Sequence, residues 1–114
     1  MNALKNKVTL IGRLGAQPEV VTFESGRTLA RFTVATNERY KDKEGEWQEA
    51  TQWLTINAWG KIAERVKRIL DKGNEIILEG RLVNQSYESK SGEKRFSTIV
   101  EATEFLVINT KKAA

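Results

Sequence analysis

The chain contains no cysteine and no histidine, and these absences exclude several classes of protein. Without cysteine there is no disulfide framework, thiol nucleophile or cysteine-based metal site. Without histidine there is no Ser-His triad and no ordinary zinc site. Neither the GxxxxGK[ST] nor the GxGxxG phosphate-binding pattern occurs. We therefore expect a protein that binds rather than catalyses and that holds no metal or cofactor.

Long apolar segments are also missing. The longest apolar run, residues 105–108, is far below the ~20 residues that a membrane helix needs. The first residues lack the apolar core of an export signal, so we expect a cytoplasmic protein with no membrane partner. The 114 residues suit one domain, and 19 basic against 15 acidic residues leave a net charge of +4, a modest indication of nucleic-acid binding.

The pattern along the chain is mostly that of β-strands separated by short polar turns. Gly12 falls inside the first predicted strand and Gly80 interrupts a later one, which indicates a bulge or bend at each point. Residues 39–48 are highly charged and predict an exposed hairpin loop, in which Trp47 is unusual. The predicted strands are 8–14, 20–23, 29–37, 50–59, 76–87 and 96–108, the last bent near residues 102–104.

One helix is predicted between the third and fourth long strands, with Gly73 as its C-terminal cap. This order predicts an all-β fold, a five-stranded Greek-key barrel of the OB type with one helix between strands 3 and 4. A two-sheet sandwich is the structural alternative, although it has no need of the helix. The apolar residues at helical spacing are Ile62, Val66, Ile69 and Leu70.

Strand 50–59 carries the most informative pattern. By the period of two, Trp53 and Trp59 share one face with polar residues, while the opposite face is apolar and suits a core. Two indoles on a polar face predict exposed platforms for stacking unpaired bases, because every base has a π-face. The alternative is that both indoles are buried, which would require buried partners for the polar residues between them. The two faces are Thr51, Trp53, Thr55, Asn57 and Trp59, and Leu54, Ile56 and Ala58.

Weaker candidates flank this strand. Tyr40 and Tyr87 end two long strands beside basic loops, where the hairpins of an OB barrel form the walls of its groove. Lys61 follows the second indole by two residues and is a candidate phosphate contact, as is Arg31. Arg65 and the other cations of the helix are interpreted as a solvated face. Carboxylates within 42–49 make any phosphate track narrow.

A series of short motifs runs along the chain in a defined order: Asn6-Lys7-Val8, Gly12-x-Leu14-Gly15, Pro18-Glu19-Val20, Ala35-Thr36, Thr51-x-Trp53, Trp59-Gly60-Lys61-x-Ala63-Glu64, Lys72-Gly73 and Glu79-Gly80-x-Leu82. Together they resemble the bacterial single-stranded DNA-binding proteins, the SSB family. The similarity extends from about Asn6 to about Val107.

The resemblance implies an OB-fold domain over residues 1–108 that binds single-stranded DNA without sequence preference, protects it in replication, recombination and repair, and assembles as a homotetramer. Trp47 and Arg31 match no position of known role. An RNA-binding OB domain of the cold-shock kind and a protein-interaction module are the alternative functions. The implied stacking residues are Tyr40, Trp53, Trp59 and Tyr87, and the implied phosphate contacts are Lys7, Lys43, Lys61 and Lys72.

The sequence departs from the family pattern in two ways. Leu54 stands where a histidine often supports the subunit interface. The flexible linker and acidic tip that recruit other genome-maintenance proteins have no counterpart, so the resemblance does not imply recruitment here. Residues 109–114 are expected to form a short disordered tail, and the expected location is the bacterial nucleoid in the cytoplasm.

Overall fold

The computed structural model describes residues 5–109, apart from the side chains of Tyr87 and Asn109. No helix in this range is long and apolar enough to cross a membrane. The tail expected at 109–114 lies outside the described residues except for Asn109, which ends the last strand. The elements are β1 (Val8–Leu14), β2 (Glu19–Thr22), β3 (Thr28–Lys41), β4 (Trp47–Trp59), α1 (Lys61–Ile69), β5 (Glu75–Glu88) and β6 (Lys94–Asn109).

Five of the strands form a closed barrel, which confirms the predicted architecture. The strand order is β1-β5-β6-β4-β3-β2. Because β1 also pairs with β3, the ring of β1, β5, β6, β4 and β3 is closed. The short β2 pairs only with β3 among the described strands and lies outside the closed ring. The helix α1 connects the third and fourth barrel strands, as predicted.

Two glycines lie where barrel strands approach closely. A Cβ atom on Gly12 would collide with the backbone carbonyl of Ala35, at the point where β1 turns from β5 towards β3. A Cβ atom on Gly80 would collide with the carbonyl of Glu101. Beside it the β5–β6 register shifts and leaves Thr103 as an extra residue, so the bend predicted near residues 102–104 is a β-bulge.

The core fills the barrel and continues under α1. Ala63 and Val66 of the helix are buried against it. Ile69, which the helical spacing also placed on the apolar side, is exposed, whereas Leu70 directly after the helix is buried. The helix does not reach Gly73, which instead adopts a positive φ in the turn before β5. The core residues are Leu14, Ala30, Phe32, Val34, Ile56, Ala58, Ala63, Val66, Leu70, Ile76, Leu78, Val100, Ala102 and Phe105.

The prediction of an exposed loop over residues 39–48 is wrong in its extent. β3 and β4 stay paired without a register shift as far as Lys41 and Trp47, which leaves a turn of residues 42–46. In this register Arg39 lies opposite Glu49, and its guanidinium lies over the ring of Trp47. From residue 37 to residue 49 nearly every side chain is exposed. We call this segment, residues 37–49, the β3–β4 arm.

Candidate nucleic-acid interface

The outer face of β3 and β4 combines rings, cations and polar groups. Odd-numbered residues of the two strands lie opposite one another, as Ala35 does opposite Trp53 and Arg31 opposite Asn57. Even-numbered residues such as Ile56 and Ala58 point into the barrel and are fully buried. The predicted division of β4 into a core face and an outer face is therefore confirmed.

Trp53 carries an open ring on the outer face of β4. Its exposed fraction is 61%, so it is not a core residue. Its ring lies against Gly15, where a Cβ atom would overlap the indole. Ala35, the residue opposite, leaves the space above the strand clear. The indole is thus supported by backbone and open to solvent, which is the arrangement that base stacking requires.

Trp59 is less open than the sequence predicted. The ring is half-buried, because the Phe23 ring stacks beside it with centroids 6.0 Å apart and an interplanar angle of 27°. The Arg27 guanidinium lies over its ring, 4.3 Å from the centroid. Both partners come from the turn between β2 and β3, and the sequence pattern gave no reason to place them there. Trp59 therefore belongs to an aromatic and cationic cluster.

Lys61 lies in the same cluster. A cleft of about 480 Å³ is lined by Arg27, Trp59 and Lys61, together with Thr28 and Glu64. Thr28 donates a hydrogen bond from its hydroxyl to the Glu64 carboxylate at 3.3 Å, which keeps that carboxylate at one side of the cleft. The structure thus places the predicted phosphate contact beside the predicted stacking ring, with a second cation that the sequence analysis did not select.

Polar side chains beside and between the two indoles bond to one another across the strands. Arg31 donates from Nε to Oδ1 of Asn57 at 3.2 Å, and Asn57 is only 1% exposed. Thr51 donates from its hydroxyl to Oδ1 of Asn37 at 2.8 Å. Asn57 and Thr51 thus have hydrogen-bond partners, and the Trp53 ring stays exposed. Arg31, which matched no family position, lies on the outer face of β3 opposite Asn57. It therefore lies between Trp53 and Trp59 when the two strands are viewed side by side.

The two tyrosines differ from the indoles. Tyr40 is exposed near the end of the β3–β4 arm, but it pairs with Gln48 and so lies on the opposite face of the arm from Trp53. Tyr87 pairs with Arg95 through the backbone, beside the β5–β6 turn, and its side chain lies outside the described part of the chain. The structure therefore does not bring the four predicted stacking residues onto one surface.

The other three predicted lysines are dispersed. Lys7 precedes β1 and forms an ion pair with Glu79 at 3.4 Å, and both groups are exposed. Lys43 is exposed in the turn of the β3–β4 arm. Lys72 lies after α1, where its backbone N–H donates to Oε1 of Gln17 at 3.2 Å. Only Lys61 is brought next to an indole.

Two carboxylates have altered acidity, and neither is on the outer face of the indoles. Backbone N–H donation from Glu46 and side-chain donation from Gln48 hold the pKa of Asp42 below its usual value. Hydrogen bonding from Arg65 lowers the pKa of Glu104. The ligand oxygens of Asp42, Glu44 and Glu46 lie within 4.8 Å of one another, but Asp42 already accepts these hydrogen bonds, so its role is to order the turn.

Comparison with known proteins of similar sequence or structure finds proteins named for binding single strands. The model of the single-strand binding protein family matches residues 5–108. Single-stranded DNA-binding protein 1 of Chlorobaculum tepidum is 41% identical over 107 residues, which is 93% of this chain and 66% of that protein. The single-stranded DNA-binding protein of Neisseria meningitidis is 39% identical over 103 residues, 90% of this chain and 59% of that protein. The chain thus spans less than two thirds of the length of these relatives.

A solved complex of the Plasmodium falciparum SSB with single-stranded DNA has a similar fold. It superposes with a TM-score of 0.87 at 25% sequence identity, and the match covers 96% of this chain and all of that chain. These matches give no support to the RNA-binding alternative of the cold-shock kind.

Proposed function

The chain belongs to the single-strand binding protein family, and we propose that it binds and protects single-stranded DNA, without sequence preference, during replication, recombination and repair. It acts by binding, with no catalytic step and no cofactor. The location that goes with this function, from the resemblance to bacterial members of the family, is the nucleoid in the cytoplasm. The observation that carries the proposal is the ring of Trp53, which is supported by Gly15 and open to solvent on a polar strand face.

Base stacking supplies the sequence-tolerant part of the affinity. Each base on an aromatic side chain contributes about 1–3 kcal/mol, and all four bases offer a π-face. The polar groups beside Trp53 are occupied by one another, as in the pair of Thr51 with Asn37 and the pair of Arg31 with Asn57. Two of the amide oxygens on this face are therefore engaged within the protein, and stacking on the rings itself needs no base-specific contact, which suits binding without sequence preference.

Phosphate contacts supply the salt-dependent part. Arg27 and Lys61 lie beside Trp59, and Arg31 lies on the outer face of β3 opposite Asn57. Lys7, Lys43 and Lys72 extend the set of proposed phosphate contacts from the family resemblance. Affinity falls as salt rises, and each phosphate contact to a single strand makes the slope of log affinity against log salt concentration more negative by about 0.7.

A homotetramer is the proposed assembly, and a second outer surface supports it. Ile11, Ile77 and Leu106 face one another in register on the adjacent strands β1, β5 and β6. Ile11 is 55% and Leu106 64% exposed. We call these three residues the apolar face. Contiguous exposed apolar surface of this kind marks protein contacts.

The edge of β1 supports assembly as well. β1 pairs with β5 from Val8 to Arg13, but on its other edge it pairs with β3 only at Arg13 and Leu14. Within the described residues, 8–12 therefore form an edge free to pair with another strand. Such an edge is a template for strand addition from a second copy.

Titration of the intrinsic tryptophan fluorescence with oligo(dT) tests the proposed function. We expect quenching that saturates, that weakens with salt, and that duplex DNA of equal length fails to reverse. Equal competition by the duplex would contradict stacking, because duplex bases are already stacked on one another. Oligo(U) as a second competitor separates DNA from RNA binding, since the 2′-hydroxyl distinguishes the two.

A further inference from the structure

Trp47 is an exposed indole that the function proposed above leaves without a role. It is 60% exposed and begins β4 at the outer end of the β3–β4 arm. The pairing of β3 with β4 contains no register shift, so Trp47, Trp53 and Trp59 all lie on the outer face. Each tryptophan is six positions from the next, which is about 20 Å along a strand. The three tryptophans of the chain therefore form one row.

Two cations accompany the ring of Trp47. The Arg39 guanidinium and the Lys41 ammonium each lie 5.4 Å from its centroid. Both belong to β3 and share the outer face with Trp47, as the pairing of Lys41 with Trp47 requires. This combination of an open ring with adjacent positive groups repeats the arrangement at Trp59, where Arg27 supplies the cation.

The turn of residues 42–46, directly before Trp47, is ordered by its own hydrogen bonds. One carboxylate oxygen of Asp42 accepts the backbone N–H groups of Glu44 and Glu46, each at 2.9 Å, and the other accepts from Gln48 at 3.0 Å. The backbone of Asp42 also donates to the Glu46 carbonyl at 2.9 Å. A platform held in this way loses little conformational freedom when a ligand binds.

The surroundings of Trp47 favour nucleic acid over a second protein copy. The apolar face on β1, β5 and β6 has three aliphatic residues in register, whereas Trp47 has Arg39 and Lys41 beside its ring. Stacked rings with cations beside them suit a base and its phosphate. We propose that Trp47, with Arg39 and Lys41, forms an outer stacking site for the DNA strand that occupies Trp53. This inference depends on the function proposed above.

A reporter variant tests the inference directly. Trp53→Phe combined with Trp59→Phe keeps a ring at both inner positions and leaves Trp47 as the only tryptophan. Oligo(dT) is titrated into it, and binding is followed in parallel by the anisotropy of a labelled oligonucleotide. We expect Trp47 emission to be quenched as the oligonucleotide binds. Binding with unchanged Trp47 emission would overturn the inference while the proposed function stands.

The length of the oligonucleotide gives a second test. OB folds occupy about 4–16 nucleotides, so a series across that range should contain strands too short to reach the outer site. We expect Trp47→Ala to weaken binding of the longer strands by roughly 5-fold to 100-fold and of the shortest strands by much less. Trp47→Phe should retain most of the affinity, since it keeps a ring. An equal loss at all lengths would contradict an outer site.

Two controls separate the remaining explanations. Phe96→Ala removes another exposed ring, from the β5–β6 hairpin, and should leave the affinity for long strands unchanged. Light scattering reports the assembly of Trp47→Ala. If this variant loses assembly but keeps its DNA affinity, Trp47 contacts a second copy and the inference is wrong. If the unaltered protein binds no oligonucleotide, it is the proposed function that fails.

Discussion

The barrel has two exposed outer surfaces that differ in chemistry. On β3 and β4, the rings of Trp53 and Trp59 alternate with polar groups and stand beside arginine and lysine. On β1, β5 and β6, the apolar face consists of three aliphatic side chains in register. Aliphatic groups gain from being removed from water by any apolar surface, whereas a ring beside a cation suits a planar base and its phosphate.

The difference shows how one small barrel can have two separate interaction surfaces. Both surfaces follow from the same alternation, because each strand directs every second residue away from the core. What distinguishes them is the identity of the outward residues, which is independent of the fold. The two surfaces should therefore respond separately to substitution.

The largest expected effect is on assembly. Leu106→Glu places a charge at the most exposed residue of the apolar face, and we expect it to abolish assembly, because an unpaired charge is costly to bury. The measurement is the mass in solution by light scattering, with Leu82→Glu as a matched leucine outside this face. The dissociated Leu106→Glu protein should still bind short oligo(dT). If the mass stays the same, the apolar face is not the contact between copies.

The next largest effect separates the two inner indoles. Trp53→Ala should weaken oligo(dT) binding by about 1–3 kcal/mol without changing the thermal midpoint, since its ring is mostly in solvent. Trp59→Ala should also destabilise the fold by about 0.5–1.5 kcal/mol, the usual contribution of an aromatic pair such as the one with Phe23. Thermal unfolding and binding are measured on both variants. Equal loss of stability in the two would contradict the difference in burial.

The alternation of β4 was predictable from the sequence, and the surroundings of its rings were not. Polar residues between Trp53 and Trp59 were enough to place both rings on the outer face, because the period of two is a local property. Phe23 and Arg27 cover Trp59 from a turn more than 30 residues earlier in the chain, and no local pattern reports such a contact. The same holds for the ion pair between Lys7 and Glu79.

The β3–β4 arm was missed for a different reason. Residues 39–48 are so rich in charge that they predict a loop. In the structure nearly every side chain of this hairpin is exposed, so its charges stay in water and do not oppose the pairing of the two strands. The error concealed Trp47, since the face of a residue can be assigned only once it is known to lie on a strand. Strand periodicity extended through this segment would have placed Trp47 with the other two indoles.

A smaller effect distinguishes two of the proposed phosphate contacts. Lys61→Gln should reduce the salt slope of oligo(dT) affinity by about 0.7, because Lys61 lies beside Trp59. Lys7→Gln should reduce it by less, because Glu79 already partly neutralises that lysine. Affinities measured over a range of salt concentrations give both slopes. A larger change for Lys7→Gln would place the path of the strand on the β1 side of the barrel.

The smallest expected effect is confined to the turn of the β3–β4 arm. The pKa of Asp42 lies below its usual 3.8 in the folded protein, so its carboxylate stabilises the turn at neutral pH. That contribution is fully present above the usual pKa and is lost as the pH falls through the folded-state pKa. Emission of Trp47 in the reporter variant should change over this acid range. Asp42→Asn should remove the change, and a transition that persists in it would exclude Asp42 as the cause.

The most direct test of the account concerns Trp53 alone. In a variant carrying Trp47→Phe and Trp59→Phe, Trp53 is the only tryptophan, and oligo(dT) is titrated while anisotropy follows binding. The account predicts quenching of Trp53 emission that saturates together with binding. Bound oligonucleotide with unaltered Trp53 emission would contradict the stacking of bases on this ring.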